Sequence, residues 1–187
     1  MNTEREKNRG YYKIKGAARA FNFDFRGKTV LDIGSSTGGF TEFALENGAK
    51  KIIAVEKGTN QMKAPLRFNP RVELHEKTDI FDFSCAPDVI LADVSFISLT
   101  RILKYAKIKL ARSDTAFLVM LKPQFEARPE DLNKGVVKNE TIRRDIIKRF
   151  ELWLKQNGFL IIKKRDNDLA GKNGNTERFY YLALAKK

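Results

Sequence analysis

Residues 30–56 read VLDIGSSTGGFTEFALENGAKKIIAVE, and this stretch decides the fold of the 187-residue chain. The apolar run at 30–33 predicts a buried strand, and a glycine-rich turn at 34–39 follows it. Apolar side chains then recur at helical spacing up to Gly48, which stands where a helix ends on a left-handed residue. Residues 51–55 predict a second strand. The short connections make this a βαβ unit, the beginning of a doubly wound parallel sheet.

The turn between this strand and helix is suited to an anionic ligand. Glycines let the backbone approach a ligand where a Cβ would collide with it. The N–H groups at the start of the following helix favour a carboxylate or a phosphate. Glu56, at the end of the second strand, can accept hydrogen bonds from both hydroxyls of a ribose. The pattern therefore predicts a ligand with an anionic end and a ribose.

Three nucleotide-binding patterns could explain this turn, and a turn that binds no ligand is the remaining alternative. A dinucleotide fingerprint requires glycine where Ser36 stands, and a phosphate-binding P-loop requires lysine where Phe40 stands. The pattern D-x-G-x-x-x-G-G, from Asp32 to Gly39, resembles the first motif of the S-adenosylmethionine (SAM) methyltransferases. In that fold Asp79 would lie beside the adenine, unless it only caps a local turn. The residues predicted to bind SAM are Asp32, Gly34, Ser35, Ser36, Thr37, Gly38, Gly39, Phe40, Glu56, Lys57, Asp79 and Asp93.

The rest of the chain continues the alternation of strands and helices. Further strands are predicted at residues 72–75, 88–92, 116–121, 160–162 and 179–184, and helices at 13–23, 61–67, 99–110 and 140–157. Turn residues at 171–177 predict a hairpin between the last two strands, and 127–138 predicts a mobile loop over the site. The expected fold is α/β and Rossmann-like. Its seven-stranded sheet is mostly parallel with the last strand antiparallel and helices on both faces, a layout that resembles the SAM methyltransferases.

The charge of the chain indicates its partner. Lysine and arginine number 36 against 23 aspartate and glutamate residues, a formal charge of +13. Such an excess predicts attraction to nucleic acid first and to an anionic membrane second, with a merely soluble basic surface as the alternative. The length fits one domain, and we predict a methyltransferase domain at 25–187 behind a basic lead-in at 1–24 whose aromatic residues suit RNA.

Cysteine and histidine usage excludes two kinds of site. Cys85 is the only cysteine and His75 the only histidine. The chain therefore cannot form an intrachain disulfide or a Cys/His zinc site, and we predict no metal. A chain without disulfides fits a reducing cytosol. The polar N-terminus and the lack of a membrane-length apolar run also favour a cytoplasmic location.

Two charged residues follow neighbouring strands of the predicted sheet. Asp93 directly follows the fourth strand and Lys122 directly follows the fifth, so the side chains should lie close enough to pair. Residues 93–96 read DVSF, which differs from the [DNS]-P-P-[YFW] motif of base amine methylation. Methylation of pyrimidine carbon 5 needs a cysteine nucleophile, and the position of Cys85 before the fourth strand disfavours that chemistry. An oxygen target remains, such as a ribose 2′-hydroxyl. A lysine can accept its proton or stabilise the developing alkoxide. An ordinary ion pair is the alternative.

Four blocks of the chain together closely resemble the TlyA-type hemolysin family of FtsJ-like RNA methyltransferases. They are DIGSSTGGFT (32–41), DVSFIS (93–98), KPQFE (122–126) and KGVV (134–137). The resemblance implies a Lys-Asp-Lys-Glu tetrad for 2′-O-methylation of ribosomal RNA, which falls on Lys13, Asp93, Lys122 and Glu177. Where the family has Arg-Gly-Gly-x-Lys this chain has RGYYK at 9–13, so Lys15 is the alternative to Lys13.

The resemblance also bears on how the RNA is recruited. The family usually carries an N-terminal S4-type RNA-binding domain, for which we expect no room here. RNA would then be recruited by charge, by a partner protein, or by a part of a longer protein. The function predicted is a SAM-dependent methyltransferase acting on a ribose 2′-hydroxyl of RNA, with ribosomal RNA as partner. The alternatives are a small-molecule O-methyltransferase, a catalytically retired SAM- or RNA-binding module, and a membrane-active hemolysin.

Overall fold

The computed structural model describes residues 7–171 and 174–185. Residues 1–6 of the predicted lead-in and residues 172–173 of the predicted hairpin turn lie outside these ranges, as do 186–187. Within the described ranges the elements are α1 (Arg9–Phe21), β1 (Thr29–Ile33), α2 (Gly39–Glu46), β2 (Lys51–Val55), β3 (Val72–His75), β4 (Val89–Ala92), α3 (Leu99–Lys109), β5 (Ala116–Leu121), β6 (Leu132–Asn133), β7 (Val136–Val137), α4 (Glu140–Gln156), β8 (Phe159–Asp166) and β9 (Arg178–Leu184).

Seven of the strands form one sheet in the order β3-β2-β1-β4-β5-β9-β8. From β3 through β2, β1 and β4 to β5, every pair of neighbouring strands is parallel. β9 runs antiparallel to both of its neighbours, β5 and β8. The predicted sheet, mostly parallel with the last strand antiparallel, is therefore confirmed. The order of the strands reverses between β1 and β4, and this reversal opens a crevice at their carboxyl ends.

The core lies on both faces of the sheet. Leu31 and Ile90 pack under α3 and α4, whereas Leu91 and Leu118 pack under α1 and α2. Successive residues of a strand point to opposite faces, so a central strand covered on both sides must be apolar throughout. This explains the unbroken apolar run of β5. None of the described helices is long and apolar enough to cross a bilayer.

Two predicted elements are wrong. Residues 61–67 do not form a helix but an irregular segment with one short 3₁₀ turn at Leu66–Phe68. Pro65 lacks an N–H donor and disfavours the helical conformation in the residue before it. Residues 127–138 are not a structureless loop, because β6 and β7 pair there as a small antiparallel ladder. Its anchor is the buried amide of Asn175, which accepts from Val137 N and donates to Gly135 O, both at 3.0 Å.

The first helix begins four residues before the predicted start. The side chain of Asn8 accepts a hydrogen bond from the backbone N–H of Tyr11 at 3.0 Å and so caps α1. α1 turns Ala17, Ala18 and Phe21 inward, into the same core cluster as α2. Packing of this face places the first turn of α1 beside the glycine-rich turn.

Candidate active site

Two adjoining cavities lie at the carboxyl ends of the parallel strands. The larger cavity, of about 700 Å³, lies beyond β2 and β4, and the smaller, of about 360 Å³, lies between the glycine-rich turn and α1. Gly34, Ser36 and Asp93 border both, so the two form one crevice. Every residue predicted to bind the cofactor lines one of the cavities except Gly38.

The glycines of the turn are required by the backbone and by close packing. Gly34 has φ +77°, and a Cβ there would lie 3.3 Å from the carbonyl oxygen of Asp93. Gly38 has φ +89° and precedes the first residue of α2. A Cβ on Gly38 would collide with the side chain of Leu66, so this glycine faces the 62–66 segment and not the crevice. Gly38 therefore shapes the turn, and its predicted part in cofactor binding stays a prediction.

Glu56 closes the glycine-rich turn from the end of β2. Its Oε2 accepts from Ser36 N at 2.9 Å, and its Oε1 accepts from Gly58 N at 2.7 Å. Ser36 has φ +47° and donates its hydroxyl to Gln61 Oε1 at 2.9 Å. Oε1 also accepts from Gln61 Nε2, at 3.5 Å, whereas Oε2 keeps a second lone pair with which Glu56 can still accept from a ligand hydroxyl. It lines the larger cavity, where a ribose would be held.

Asp79 and Lys57 form an ion pair at the far wall of the larger cavity. Their closest atoms, Lys57 Nζ and Asp79 Oδ2, lie 3.0 Å apart. Asp79 Oδ1 accepts from Phe81 N at 3.2 Å. These two contacts, the backbone hydrogen bond first, lower the pKa of Asp79 and keep it ionised. Asp79 thus caps a local turn and also lines the cavity, and its position beside an adenine stays a prediction.

Asp32 is a buried carboxylate with one oxygen unused. The residue is 1% exposed, and Thr41 Oγ1 donates to its Oδ2 at 2.7 Å. Burial raises the pKa of Asp32 to about 7. Neither Asp32 Oδ1 nor the buried Ser35 Oγ has a hydrogen-bond partner among the described residues. Buried polar atoms are almost always paired, so the smaller cavity, which both residues line, is suited to a polar ligand.

Two ion pairs border the crevice. Lys122 Nζ lies 2.6 Å from Asp93 Oδ1 and donates to Ser95 Oγ at 2.9 Å, which confirms the predicted proximity. Lys13 pairs with Glu177, and these residues are 8% and 3% exposed. Lys13 and Asp93 both line the smaller cavity, so one member of each pair faces the same space. Lys13 and Asp93 of the implied tetrad thus line one cavity, and Glu177 and Lys122, which line neither cavity, are paired with them.

The alternative to Lys13 lies elsewhere on α1. Lys15 is only partly buried, and its ammonium stands 5.9 Å from the ring centre of Tyr11 and 5.8 Å from that of Tyr12. It does not line either cavity. The geometry therefore favours Lys13 for the first tetrad position.

Glu177 is held in place by the chain around it. Arg143 of α4 donates through Nε to the Thr176 carbonyl at 3.1 Å, and Asn167 N donates to the Glu177 carbonyl at 2.8 Å. Asn175 ties the same segment to the β6–β7 ladder. These contacts fix the backbone from which Glu177 reaches Lys13.

An exposed phenylalanine, Phe96, lies at the mouth of the larger cavity and was not predicted from the sequence. Phe96 is 92% exposed and has φ +64°, an unfavourable conformation for a bulky residue. Its ring packs against Phe125 in a tilted arrangement, with centroids 5.2 Å apart and an angle of 51° between the ring planes. The two phenylalanines stand in the DVSF and KPQF motifs, each three residues after a member of the tetrad. That shared spacing was the signal available in the sequence.

Comparison with known proteins places this geometry in a family. The FtsJ-like methyltransferase family model matches residues 7–185. The chain is 37% identical to the 23S rRNA (cytidine-2′-O)-methyltransferase TlyA of Campylobacter jejuni, over 92% of this chain and 69% of that one. It is 33% identical to the 16S/23S rRNA (cytidine-2′-O)-methyltransferase TlyA of Mycobacterium tuberculosis, over 93% and 67%. The chain thus spans about two thirds of the length of these relatives.

A solved structure agrees with this placement. A hemolysin-family protein from Streptococcus thermophilus superposes with a TM-score of 0.91 at 31% identity, over 100% of this chain and 70% of that one. The predicted resemblance to the TlyA-type hemolysins is confirmed, and so is SAM as the cofactor. The chain belongs to the FtsJ-like methyltransferase family.

Proposed function

We propose that this chain transfers the methyl group of SAM to a ribose 2′-hydroxyl of RNA, and that the RNA is ribosomal. The observation that carries the proposal is the pair of ion pairs, Lys13–Glu177 and Asp93–Lys122, at one crevice. The names of the TlyA relatives support a ribosomal RNA substrate. The cytoplasmic location and the division at residue 24 stay predictions.

The crevice provides residues for each part of the cofactor. We assign the ribose to Glu56, the adenine to the wall formed by Asp79 and Lys57, and the methionine end to the smaller cavity with Asp32. When bound, SAM supplies an electrophilic methyl group. Asp93 borders both cavities, which supports placing it where the two halves of the cofactor would meet.

Lys122 is the residue we assign to the 2′-hydroxyl. A ribose hydroxyl is a poor nucleophile until its proton is lost or its developing charge is stabilised. A neutral Lys122 would accept the proton at Nζ, and a charged Lys122 would stabilise the alkoxide. Asp93 and Ser95 hold that nitrogen in position, at 2.6 Å and 2.9 Å. Lys13, held by Glu177, supplies a second positive charge, at the smaller cavity that Asp93 also lines.

RNA binding is supported by the charge of the chain and by the exposed ring of Phe96. The formal charge of +13 attracts phosphates. Phe96 offers an uncovered ring at the mouth of the larger cavity, and bases of single-stranded RNA stack on such rings. A small-molecule methyltransferase would leave both features without a role. Binding through about 6–10 phosphates would weaken by roughly 10³–10⁵ between 50 and 200 mM salt.

The test is methyl transfer from labelled SAM to unmethylated ribosomal subunits. The product is read as alkali-resistant dinucleotides, because a 2′-O-methyl group blocks cleavage at the adjacent phosphate. We expect label in that fraction, its loss in Lys122→Ala, and its retention in the matched control Lys104→Ala, whose side chain is exposed on α3.

Three outcomes would contradict the proposal. Label in alkali-sensitive nucleotides would mean base methylation. Full activity of Lys122→Ala would show that methyl transfer does not depend on the tetrad. No label with cofactor binding intact would favour a retired binding module or another substrate.

A further inference from the structure

The outer face of α1 is basic and carries an exposed aromatic ring. Tyr12, Lys15 and Arg19 are three and four residues apart, so they lie on one side of the helix. Tyr12 is 44% exposed, and Arg19 is exposed as well. The sequence of α1 contains no aspartate or glutamate. No acidic side chain of the helix itself therefore offsets these charges.

The end of α1 forms a groove with strand β8. The groove has a volume of about 550 Å³ and is lined by Ala20, Phe21 and residues 163–166. Lys163 Nζ donates to Phe21 O at 2.8 Å, and Arg165 donates to Gly16 O at 3.2 Å. Both side chains thus reach from the strand towards the helix. Arg165 also pairs with Asp168, so Lys163 is the cation of the groove that keeps its full charge.

Three cations of this region have no opposite charge beside them. Among the described residues, Lys15, Arg19 and Lys163 form no ion pair. The ammonium of Lys15 stands 5.9 Å from the ring centre of Tyr11 and 5.8 Å from that of Tyr12. Side chains that are already held in place lose less freedom when a ligand binds. The region is therefore suited to a polyanion that supplies several negative charges in a row.

The chemistry of this region fits RNA better than a lipid membrane. Cations bind the phosphates of both, but an exposed aromatic ring also stacks on a nucleic-acid base. A helix that binds a bilayer inserts its apolar face, and the apolar face of α1 is already buried in the core with α2. Lys13 of the same helix lines the smaller cavity. The outer face of α1 therefore begins beside the crevice that would hold the target nucleotide.

Helix α3 provides a comparison, because it is also basic and contains no acidic residue. Its tyrosine, Tyr105, is only partly exposed, donates its hydroxyl to Phe83 O at 2.8 Å, and meets the ring of Phe81 edge-on. Lys107 is turned to the carbonyl oxygen of Asn157. α3 thus offers charge without an exposed aromatic ring, and its other lysines are suitable for control variants.

We propose that Tyr12, Lys15, Arg19 and Lys163 form a docking surface for the RNA strand that extends from the crevice. We call these four residues the α1–β8 surface. The three cations bind successive phosphates, and Tyr12 stacks on a base. The four side chains line neither cavity of the crevice, so they set the affinity for RNA and not the rate of methyl transfer. We rest this assignment on the RNA substrate of the proposed function.

The test measures how the affinity for protein-free ribosomal RNA depends on salt, by filter binding between about 50 and 200 mM. The slope of log K against log salt counts the phosphates neutralised, at about 0.7 for each phosphate of a single strand. We expect Lys15→Ala, Arg19→Ala and Lys163→Ala each to reduce the slope by about 0.7–1. Each should also weaken binding by roughly fivefold at about 0.1 M salt. The triple variant should reduce the slope by about 2–3.

Two further variants make the test specific. Tyr12→Ala should weaken RNA binding by roughly 5- to 150-fold and leave the slope unchanged, because it removes a stacked ring and no charge. The matched control replaces Lys104, Lys109 and Lys155 by alanine, three exposed lysines of α3 and α4. It removes the same total charge and should change the slope by less than about 0.7.

Kinetics separate docking from catalysis. The triple variant of the α1–β8 surface should raise the KM for RNA by roughly 100-fold and leave kcat within about twofold. Its affinity for S-adenosylhomocysteine should also be unchanged. A variant that had merely lost its fold would lose kcat and cofactor affinity together.

Other results would overturn the α1–β8 surface. They are a wild-type slope in its triple variant, an equal reduction in the α3–α4 control, and wild-type RNA affinity in Tyr12→Ala. A wild-type slope together with lost binding to phosphatidylserine vesicles would assign the surface to a membrane instead. Methyl label on RNA with a wild-type slope in the triple variant would refute this surface alone. A reduced slope without any methyl label would refute the proposed function alone.

Discussion

Glu126 joins the two loops that carry Asp93 and Lys122. Its Oε1 accepts from Leu99 N at 2.6 Å and its Oε2 accepts from Ser98 Oγ at 2.7 Å, at the start of α3. Burial raises the pKa of Glu126, and these two hydrogen bonds oppose the rise. The contact therefore ties the segment after β5 to the segment after β4 within a few residues of the tetrad.

The expected loss of stability follows from the two hydrogen bonds that Glu126→Ala would remove. Hydrogen bonds to a charged group contribute about 1.5–3 kcal/mol each, and the cost of burying the carboxylate offsets part of their sum. We expect the free energy of unfolding to fall by about 2–3 kcal/mol, which lowers the Tm by roughly 4–12 °C for a chain of this size. We also expect kcat/KM for RNA to fall by about tenfold or more, because small displacements of reacting groups are costly.

Two further variants make the prediction specific. Glu126→Gln keeps an acceptor for Leu99 N and removes the buried charge, so it should retain most of the stability. Glu130→Ala is the matched control, since Glu130 is exposed and, among the described residues, pairs only with Arg128, at 3.7 Å. Thermal unfolding followed by circular dichroism measures all three. A Tm for Glu126→Ala within about 1 °C of the wild type, or a similar loss in Glu130→Ala, would refute the reasoning.

Three other changes have defined outcomes. Phe96→Ala should weaken RNA binding by roughly 5- to 150-fold, the range of one lost base stack, and leave S-adenosylhomocysteine affinity unchanged; equal RNA affinity in filter binding would contradict it. Burial raises the pKa of Asp32 to about 7, so below that pH the carboxyl is neutral and cannot pair with an ammonium group. S-adenosylhomocysteine affinity should therefore rise between pH 6 and 8 in the wild type and not in Asp32→Asn, whereas parallel profiles would argue against this carboxylate. Tyr180→Phe removes the hydroxyl that donates to Glu151 at 3.0 Å from a fully buried ring, and should lower the Tm by roughly 2–4 °C; Tyr181→Phe, with a less buried ring, is the control, and equal losses in both would contradict the prediction.

Local patterns were sufficient for most of the fold. The strand at residues 51–55 and the strand at 116–121 have the predicted bounds, because each is a short apolar run between strong turn signals. The positions of Asp93 and Lys122 followed from the same patterns, since residues after neighbouring parallel strands must share one edge of the sheet. The helix predicted at 61–67 does not form, because a proline interrupts an otherwise helical pattern.

The sequence by itself determined the βαβ unit, the cofactor turn and the edge of the sheet where chemistry takes place, because these depend on residues close together in the chain. Only the tertiary structure decided that Lys13 meets Glu177, 164 positions away, and that Asn8 rests on the cofactor turn. It also decided that Phe96 is left uncovered. Such contacts depend on how distant elements pack, and burial and hydrogen bonding between remote segments leave no periodic signal in the chain.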